Sequence, residues 1–233
     1  MKTLQNKRVL ITGASGGLGR ALAIAYKNAG CDVILTARTR QSLLIEEFEC
    51  LGKYECDLAN LESIQFMVDR VKKDYGGVDI LVNCAGVFPV KKLHDMSLEE
   101  YNECIQVNLT APFILTKEFH VGMMANGWGR IINIASSSAY GGSPDTSVYC
   151  ASKHALLGLS RSLFKELKGR GIRVICVSPG SIKTRMGKKV EDLGQDYDTF
   201  MDASEVADYV VYNTKLGKDM VSEEIRLNRV FVQ

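Results

Sequence analysis

Tyr149 and Lys153 stand four residues apart in a stretch whose apolar spacing predicts a helix over roughly 148–168. That spacing puts both side chains on one helix face, about one turn apart. A phenol has a reference pKa near 10, too high for free proton exchange at neutral pH. A neighbouring ammonium stabilises the phenolate and brings the group into range. Such a tyrosine can act as general acid when a carbonyl is reduced and as general base when an alcohol is oxidised. Ser136, just past a predicted strand, is placed to hydrogen-bond a substrate oxygen as charge develops on it. Each residue also has a plainer reading: an amphipathic core tyrosine, a solvated helix lysine, and a Ser136-Ser137-Ser138 turn.

A second cluster lies near the start of the chain. Thr12-Gly13-Ala14-Ser15-Gly16-Gly17-Leu18-Gly19 follows the apolar run Val9-Leu10-Ile11 and opens a segment rich in small residues (Ala21, Ala23, Ala25). Glycines there permit a tight turn, close approach of backbone to a pyrophosphate, and close packing of helix on sheet. Exposed N–H groups at the helix start supply an anion site. The alternative is a glycine-rich turn with no ligand, but a strand–loop–helix context at this position favours a dinucleotide. No Gly-Lys-Ser or Gly-Lys-Thr follows, which excludes a nucleoside-triphosphate loop.

The elements that must position these residues alternate along the chain. Strands are predicted at Arg8–Thr12, Asp32–Thr36, Lys53–Cys56, Asp79–Asn83, Arg130–Ala135, Arg173–Val177 and Glu224–Leu227, and helices at roughly 18–29, 41–50, 60–74, 97–125, 148–168 and 203–216. Strands as continuously apolar as Ile80-Leu81-Val82 imply burial on both faces, the mark of a parallel sheet covered by helices. The expected architecture is α/β: a single domain over residues 1–233, a Rossmann-type doubly wound parallel sheet flanked by helices on both faces. In such a sheet ligands bind beyond the carboxyl ends of the strands, near the point where strand order reverses. Thr12-Gly13, Asn83–Gly86, Ser136 and Pro179-Gly180 all follow predicted strand ends.

The spacing of Gly13, Gly17 and Gly19 (G-x-x-x-G-x-G) departs from the general Rossmann pattern and resembles the loop of the short-chain dehydrogenase/reductase family. The resemblance runs along nearly the whole chain. Asp57 resembles that family's acidic residue near the adenine ring, and Asn83-Cys84-Ala85-Gly86 its N-N-A-G turn, with Cys84 in place of the second Asn. Asn108, Ser136, Tyr149-x-x-x-Lys153 and Pro179-Gly180 then follow in the family's order, with Ser136 the usual thirteen residues before the tyrosine. The resemblance implies catalysis by Asn108, Ser136, Tyr149 and Lys153. In it Asn108 holds a water that relays protons through Lys153, and Lys153 also binds the nicotinamide ribose. It implies a cofactor site formed by Gly13, Ser15, Gly16, Gly17, Leu18, Gly19, Arg38, Asp57, Leu58, Asn83, Ala85, Gly86, Tyr149, Lys153, Pro179, Gly180, Ile182 and Thr184. Much of the core is similar to 3-oxoacyl carrier-protein reductases, which makes an acyl thioester one candidate substrate. One departure stands out: Val221–Gln233 lacks the glycine-rich segment that many members carry after the last strand.

The end of the second strand sets the choice of cofactor. An NAD site generally places an acidic side chain about 20 residues past the glycine loop, on the ribose hydroxyls. Here that position reads Ala37, and Arg38 follows with a permanently charged fork suited to a 2′-phosphate. The expectation is NADP(H) over NAD(H).

Composition narrows the partners. The chain has 233 residues, 46% hydrophobic and 24% charged, and its 29 basic and 27 acidic residues leave a formal net charge of +2. No global field is available to hold nucleic acid or an anionic membrane. The apolar run after Met1–Arg8 breaks at Thr12-Gly13, too short for a signal peptide, and no later run approaches the ~18 residues of a membrane span. Seven cysteines, none at C-x-x-C spacing, and three unclustered histidines suggest neither a disulfide framework nor a metal site. The expected setting is therefore cytoplasmic, without nucleic-acid or membrane partners.

Ser181–Asp202 is polar and charged and lies where a mobile substrate lid would sit. Val87, Phe88, Pro89, Val90, Tyr140 and Met186 are candidate pocket residues, an apolar set suited to a carbonyl or alcohol of modest size or to an acyl chain. The 104–125 and 148–168 segments are apolar beyond one stripe, and in the resembled family these helices pair between subunits, so a homodimer or homotetramer is expected. The leading expectation is an NADP(H)-dependent oxidoreductase moving hydride between nicotinamide and a carbonyl or alcohol. A catalytically silent NADP(H)-binding sensor or scaffold of the same fold competes with it. Retention of Asn108, Ser136, Tyr149 and Lys153 argues against that alternative.

Overall fold

In the computed structural model, which describes residues 3–43, 49–217 and 220–230, the central strands are buried on both faces. Seven strands, β1 (Arg8–Thr12), β2 (Asp32–Ala37), β3 (Gly52–Glu55), β4 (Ile80–Asn83), β5 (Gly129–Ile134), β6 (Ile172–Pro179) and β7 (Glu224–Leu227), form one sheet in the order β3-β2-β1-β4-β5-β6-β7. Every pairing is parallel, with Leu10 opposite Ile34 on one side and Leu81 on the other. Side chains alternate between the faces. Val9, Ile11, Val33, Leu35, Val82 and Ile132 pack with α1 (Gly17–Asn28) and α7 (Ala203–Thr214). Leu10, Ile34, Leu81 and Ile131 pack against α2 (Leu61–Tyr75), α4 (Ala111–Ala125) and the end of α5 (Ser147–Leu167). Each fully buried aliphatic contributes roughly 1.5–3 kcal/mol, which is why both faces must be covered. The doubly wound α/β sheet expected from the sequence is the one observed.

Helix boundaries follow local chemistry. Asn60 caps α2 by accepting from the Ser63 N–H, and Gly76, with φ of 73°, ends it in the left-handed conformation. Ser97 and Glu100 form a reciprocal capping box at the start of α3 (Leu98–Ile105).

Two helical expectations need correction. Of the expected 41–50 helix, Gln41–Leu43 form one short 3₁₀ turn, residues 44–48 lie outside the described residues, and residues 49–50 have no regular structure. The expected 97–125 helix is interrupted by a π turn at Gln106–Thr110 between α3 and α4. Pro112 lies in the first turn of α4 and has no N–H to give the Asn108 carbonyl, so the regular ladder cannot run through this point. The 181–202 segment carries α6 (Arg185–Glu191) and a 3₁₀ turn at Tyr197–Thr199, and a bridge between Ile182 and Met201 ties its ends.

Candidate active site

Strand order reverses between β1 and β4, and the turns after these two strands meet there. The Thr12 hydroxyl accepts the backbone N–H groups of Cys84 (3.0 Å) and Ala85 (3.1 Å), fixing the β4 turn against the glycine loop. Gly13 adopts a φ of 68°, and a Cβ on it would fall 2.7 Å from the Ala85 Cα. On Gly19 a Cβ would fall 2.2 Å from the Gly13 carbonyl oxygen. No larger residue fits at either position without moving the loop. The N-terminus of α1 begins after Gly16 with no side-chain cap and no acidic residue in its first turn, leaving N–H groups free for an anion.

This loop forms one wall of a cleft of about 990 Å³ along the carboxyl edge of the sheet. Gly13, Ser15, Gly16, Gly17, Leu18, Gly19, Arg38, Asp57, Leu58, Ala85, Gly86, Pro179, Gly180, Ile182 and Thr184 all line it. Ser136, Tyr149 and Lys153 line it as well. Asn83 and Asn108 do not. Asn83 is 2% exposed and sits behind the wall, where its amide donates to Asn133 Oδ1 at 2.8 Å, and Asn133 in turn donates to Ser160. Asn83, expected as a cofactor contact, thus has its side chain engaged in bracing the ends of β4 and β5. Asn108 is wholly buried in the π turn. Its Oδ1 accepts the Val87 N–H at 2.9 Å, while its Nδ2 donates to the Val87 carbonyl and to Ser152 Oγ at 3.0 Å each. Its side chain thus holds the loop after β4, whose Gly86 and Val87 line the cleft. A Cβ on Gly86 would meet Asn108 Oδ1 at 3.3 Å and Lys153 Nζ at 3.6 Å.

Tyr149 and Lys153 share the inner face of α5, 7% and 4% exposed. Lys153 Nζ donates to the Ile134 carbonyl at 2.9 Å and lies 5.7 Å from the Tyr149 ring centre. Burial brings Lys153 down from its ordinary value to about 8, against a small opposing effect of the Cys84, Cys176 and Cys104 thiols. Burial also pushes Tyr149 up to about 12, and hydrogen bonding from Ser136 partly offsets it. From the sequence, the lysine is expected to lower the tyrosine. In the structure desolvation dominates instead, and the lowering influence comes from Ser136 rather than from the lysine. The tyrosine is enclosed, with Phe88 packed edge-on against its ring at 4.6 Å. Ser136 Oγ accepts the Ser138 N–H at 3.1 Å, which orients the hydroxyl at the cleft wall.

Of the candidate pocket residues, Val87, Phe88 and Met186 line the cleft, whereas Pro89, Val90 and Tyr140 do not. Tyr140 instead donates its hydroxyl to Glu224 Oε1 at 2.6 Å, and Arg226 stacks over its ring at 3.9 Å. Sequence reasoning missed Thr12, Asn133 and Ser152 as supports. An asparagine inside the apolar run Ile131-Ile132-Asn133-Ile134 was the available signal for a buried polar network. The uncapped, unobstructed start of α1, together with the cradle at Gly13 and Gly19, fits a dinucleotide.

The model of the short chain dehydrogenase family matches residues 7–193. An uncharacterized oxidoreductase of Thermotoga maritima is 38% identical, over 80% of this chain and 75% of that protein. A 3-oxoacyl-[acyl-carrier-protein] reductase of Aquifex aeolicus is 34% identical over 97% of both chains. Among solved structures, a metagenomic short-chain oxidoreductase in complex with NADP superposes with a TM-score of 0.85 at 31% identity, covering 99% of this chain and 100% of that one. The 4-hydroxyisoleucine dehydrogenase complexed with NADH gives a TM-score of 0.85 at 26% identity, covering 96% of this chain and 98% of that one.

Proposed function

We propose that this chain, which belongs to the short-chain dehydrogenase family, is an NADP(H)-dependent oxidoreductase acting on a carbonyl or alcohol with Tyr149 as the general acid and base. The observation that carries the reading is the convergence of Ser136, Tyr149 and Lys153 on one cleft with an anion-ready glycine loop. The bound nicotinamide supplies or receives the hydride. In the reductive direction the Ser136 hydroxyl donates to the substrate oxygen, and Tyr149 Oη gives that oxygen its proton as the carbon is reduced. Tyr149, held near 12, keeps its proton at neutral pH until the developing alkoxide draws it off. Lys153, near 8, then carries a proton it can return to the phenolate. Asn108 keeps the Val87 loop in place beside both.

The preference for NADP(H) rests on the end of β2. Ala37 is 5% exposed and offers no acceptor, while Arg38 lies exposed on the cleft rim. Charge-assisted hydrogen bonds are worth roughly 1.5–3 kcal/mol, which corresponds to a preference for NADPH over NADH of about 10- to 100-fold. Fluorescence titration with each cofactor tests this, and tighter binding of NADH would overturn the assignment. A 3-oxoacyl thioester is a candidate substrate, supported by the similarity to a 3-oxoacyl-[acyl-carrier-protein] reductase. We assign the 181–202 segment as the substrate lid. Lys189 Nζ on α6 reaches the Phe88 carbonyl at 3.5 Å, and Phe88 packs on Tyr149.

A further inference from the structure

Gln195 lies in the 181–202 segment and lines the cleft. Its side-chain oxygen, Oε1, accepts two hydrogen bonds, from Arg229 Nη2 at 3.0 Å and from Ser181 Oγ at 3.0 Å. A guanidinium only donates, so the amide atom facing Arg229 must be the oxygen, which fixes the orientation of a group that could otherwise flip. Arg229 is itself held: its Nη1 donates to Thr199 Oγ1 at 2.8 Å, and its guanidinium lies 5.1 Å from the Phe200 ring centre. Phe200 is 3% exposed, so this anchor is firm. Gln195 is exposed, and with Oε1 doubly engaged its amide nitrogen, Nε2, makes no hydrogen bond to the described residues and is left to solvent or to a molecule in the cleft. What Gln195 can offer to a molecule in the cleft is therefore a donor.

We propose that Gln195 Nε2 is a specificity-determining donor that selects substrates carrying a second oxygen acceptor besides the reacting carbonyl, and that Arg229, on the segment after β7, is the residue that positions it. The inference rests on the reading of this cleft as a carbonyl-reductase site. The atypical carboxyl-terminal segment then has a role, because Arg229 reaches from beyond the last strand to Thr199 and Gln195 of the 181–202 segment.

The test uses two ketones of matched size, 4-methoxycyclohexanone and 4-ethylcyclohexanone, which differ by one acceptor oxygen. Binding to the NADP-loaded protein is measured by ligand-observed NMR, so that turnover is not required, alongside kcat and KM. Wild type should favour the methoxy compound by about 3- to 10-fold, the worth of one neutral hydrogen bond, mainly in KM. Gln195→Glu keeps an acceptor for Arg229 and Ser181 but removes the donor, so the ratio should fall to about one. Arg229→Leu frees the amide and should give an intermediate ratio. A Gln195 that merely fastens the segment would tolerate Glu and leave the ratio at its wild-type value, which would overturn the proposal. So would equal binding of the two ketones by wild type, or a Gln195→Glu change confined to cofactor affinity. Binding with the predicted ratio but no turnover would instead count against the oxidoreductase reading alone.

Discussion

Lys153 is a buried ammonium among thiols, with one carbonyl oxygen as its partner. Its proton is held less tightly in the folded protein, near 8, than at its ordinary value of 10.5. Between those values the unfolded chain binds more protons, so this group makes stability rise with pH. Tyr149 acts in the opposite sense: its raised value makes stability fall as pH climbs from 10 toward 12. Over pH 8 to 10, urea unfolding of cofactor-free wild type should therefore gain on a Lys153→Met variant as pH rises. The limit for one proton is about 1.4 kcal/mol per pH unit. A flat difference would contradict the burial of the charge. The pairing of Tyr149 and Lys153 was legible in their spacing alone. The direction of the tyrosine's shift was not, because it depends on how fully the fold encloses the ring, with Phe88 brought against it from the distant loop after β4.

At the scale of elements, the glycine loop and the first strand–helix unit were legible because their requirements are local. Gly19 shows how strict they are. A methyl there would press on the Gly13 carbonyl, so Gly19→Ala must lift α1 from the loop. We expect a loss of about 1–3 kcal/mol of stability, of the kind overpacking produces, together with at least ~10-fold weaker cofactor binding. Denaturant unfolding and a fluorescence titration measure the two effects, and wild-type values in both would refute the packing argument. The π turn was not legible, since a helical apolar pattern runs through 97–125 and only Pro112 marks the interruption. Nor was the role of Tyr140. Its hydroxyl meets Glu224, a residue of the last strand that Arg161 also engages through Nε at 2.8 Å and Nη2 at 3.1 Å. Contacts between segments so far apart in the chain leave no periodic trace in a sequence.

At the scale of the whole molecule, the parallel order of the sheet was legible because strands apolar on both faces admit few other arrangements. Pairings between the 181–202 segment and the stretch beyond the last strand, such as Gln195 with Arg229, were not. Among the described residues no helix is long and apolar enough to cross a membrane. Phe113 and Val121 on α4 remain 47% and 57% exposed in the single chain. We expect a dimer or tetramer that covers this face, and light scattering should give a mass of at least twice the 25.7 kDa of one chain. A monomer at micromolar concentration would leave those side chains unexplained. The central claim is that Tyr149 transfers the proton in an NADPH-dependent carbonyl reduction. The direct measurement is loss of NADPH absorbance over a panel of ketones, quinones and 3-oxoacyl thioesters, for wild type and Tyr149→Phe side by side. The account predicts turnover of at least one panel member by wild type and a fall of at least ~10²-fold in the variant, with NADPH affinity little changed. Wild type that binds NADPH yet consumes none, or a variant as fast as wild type, would contradict it.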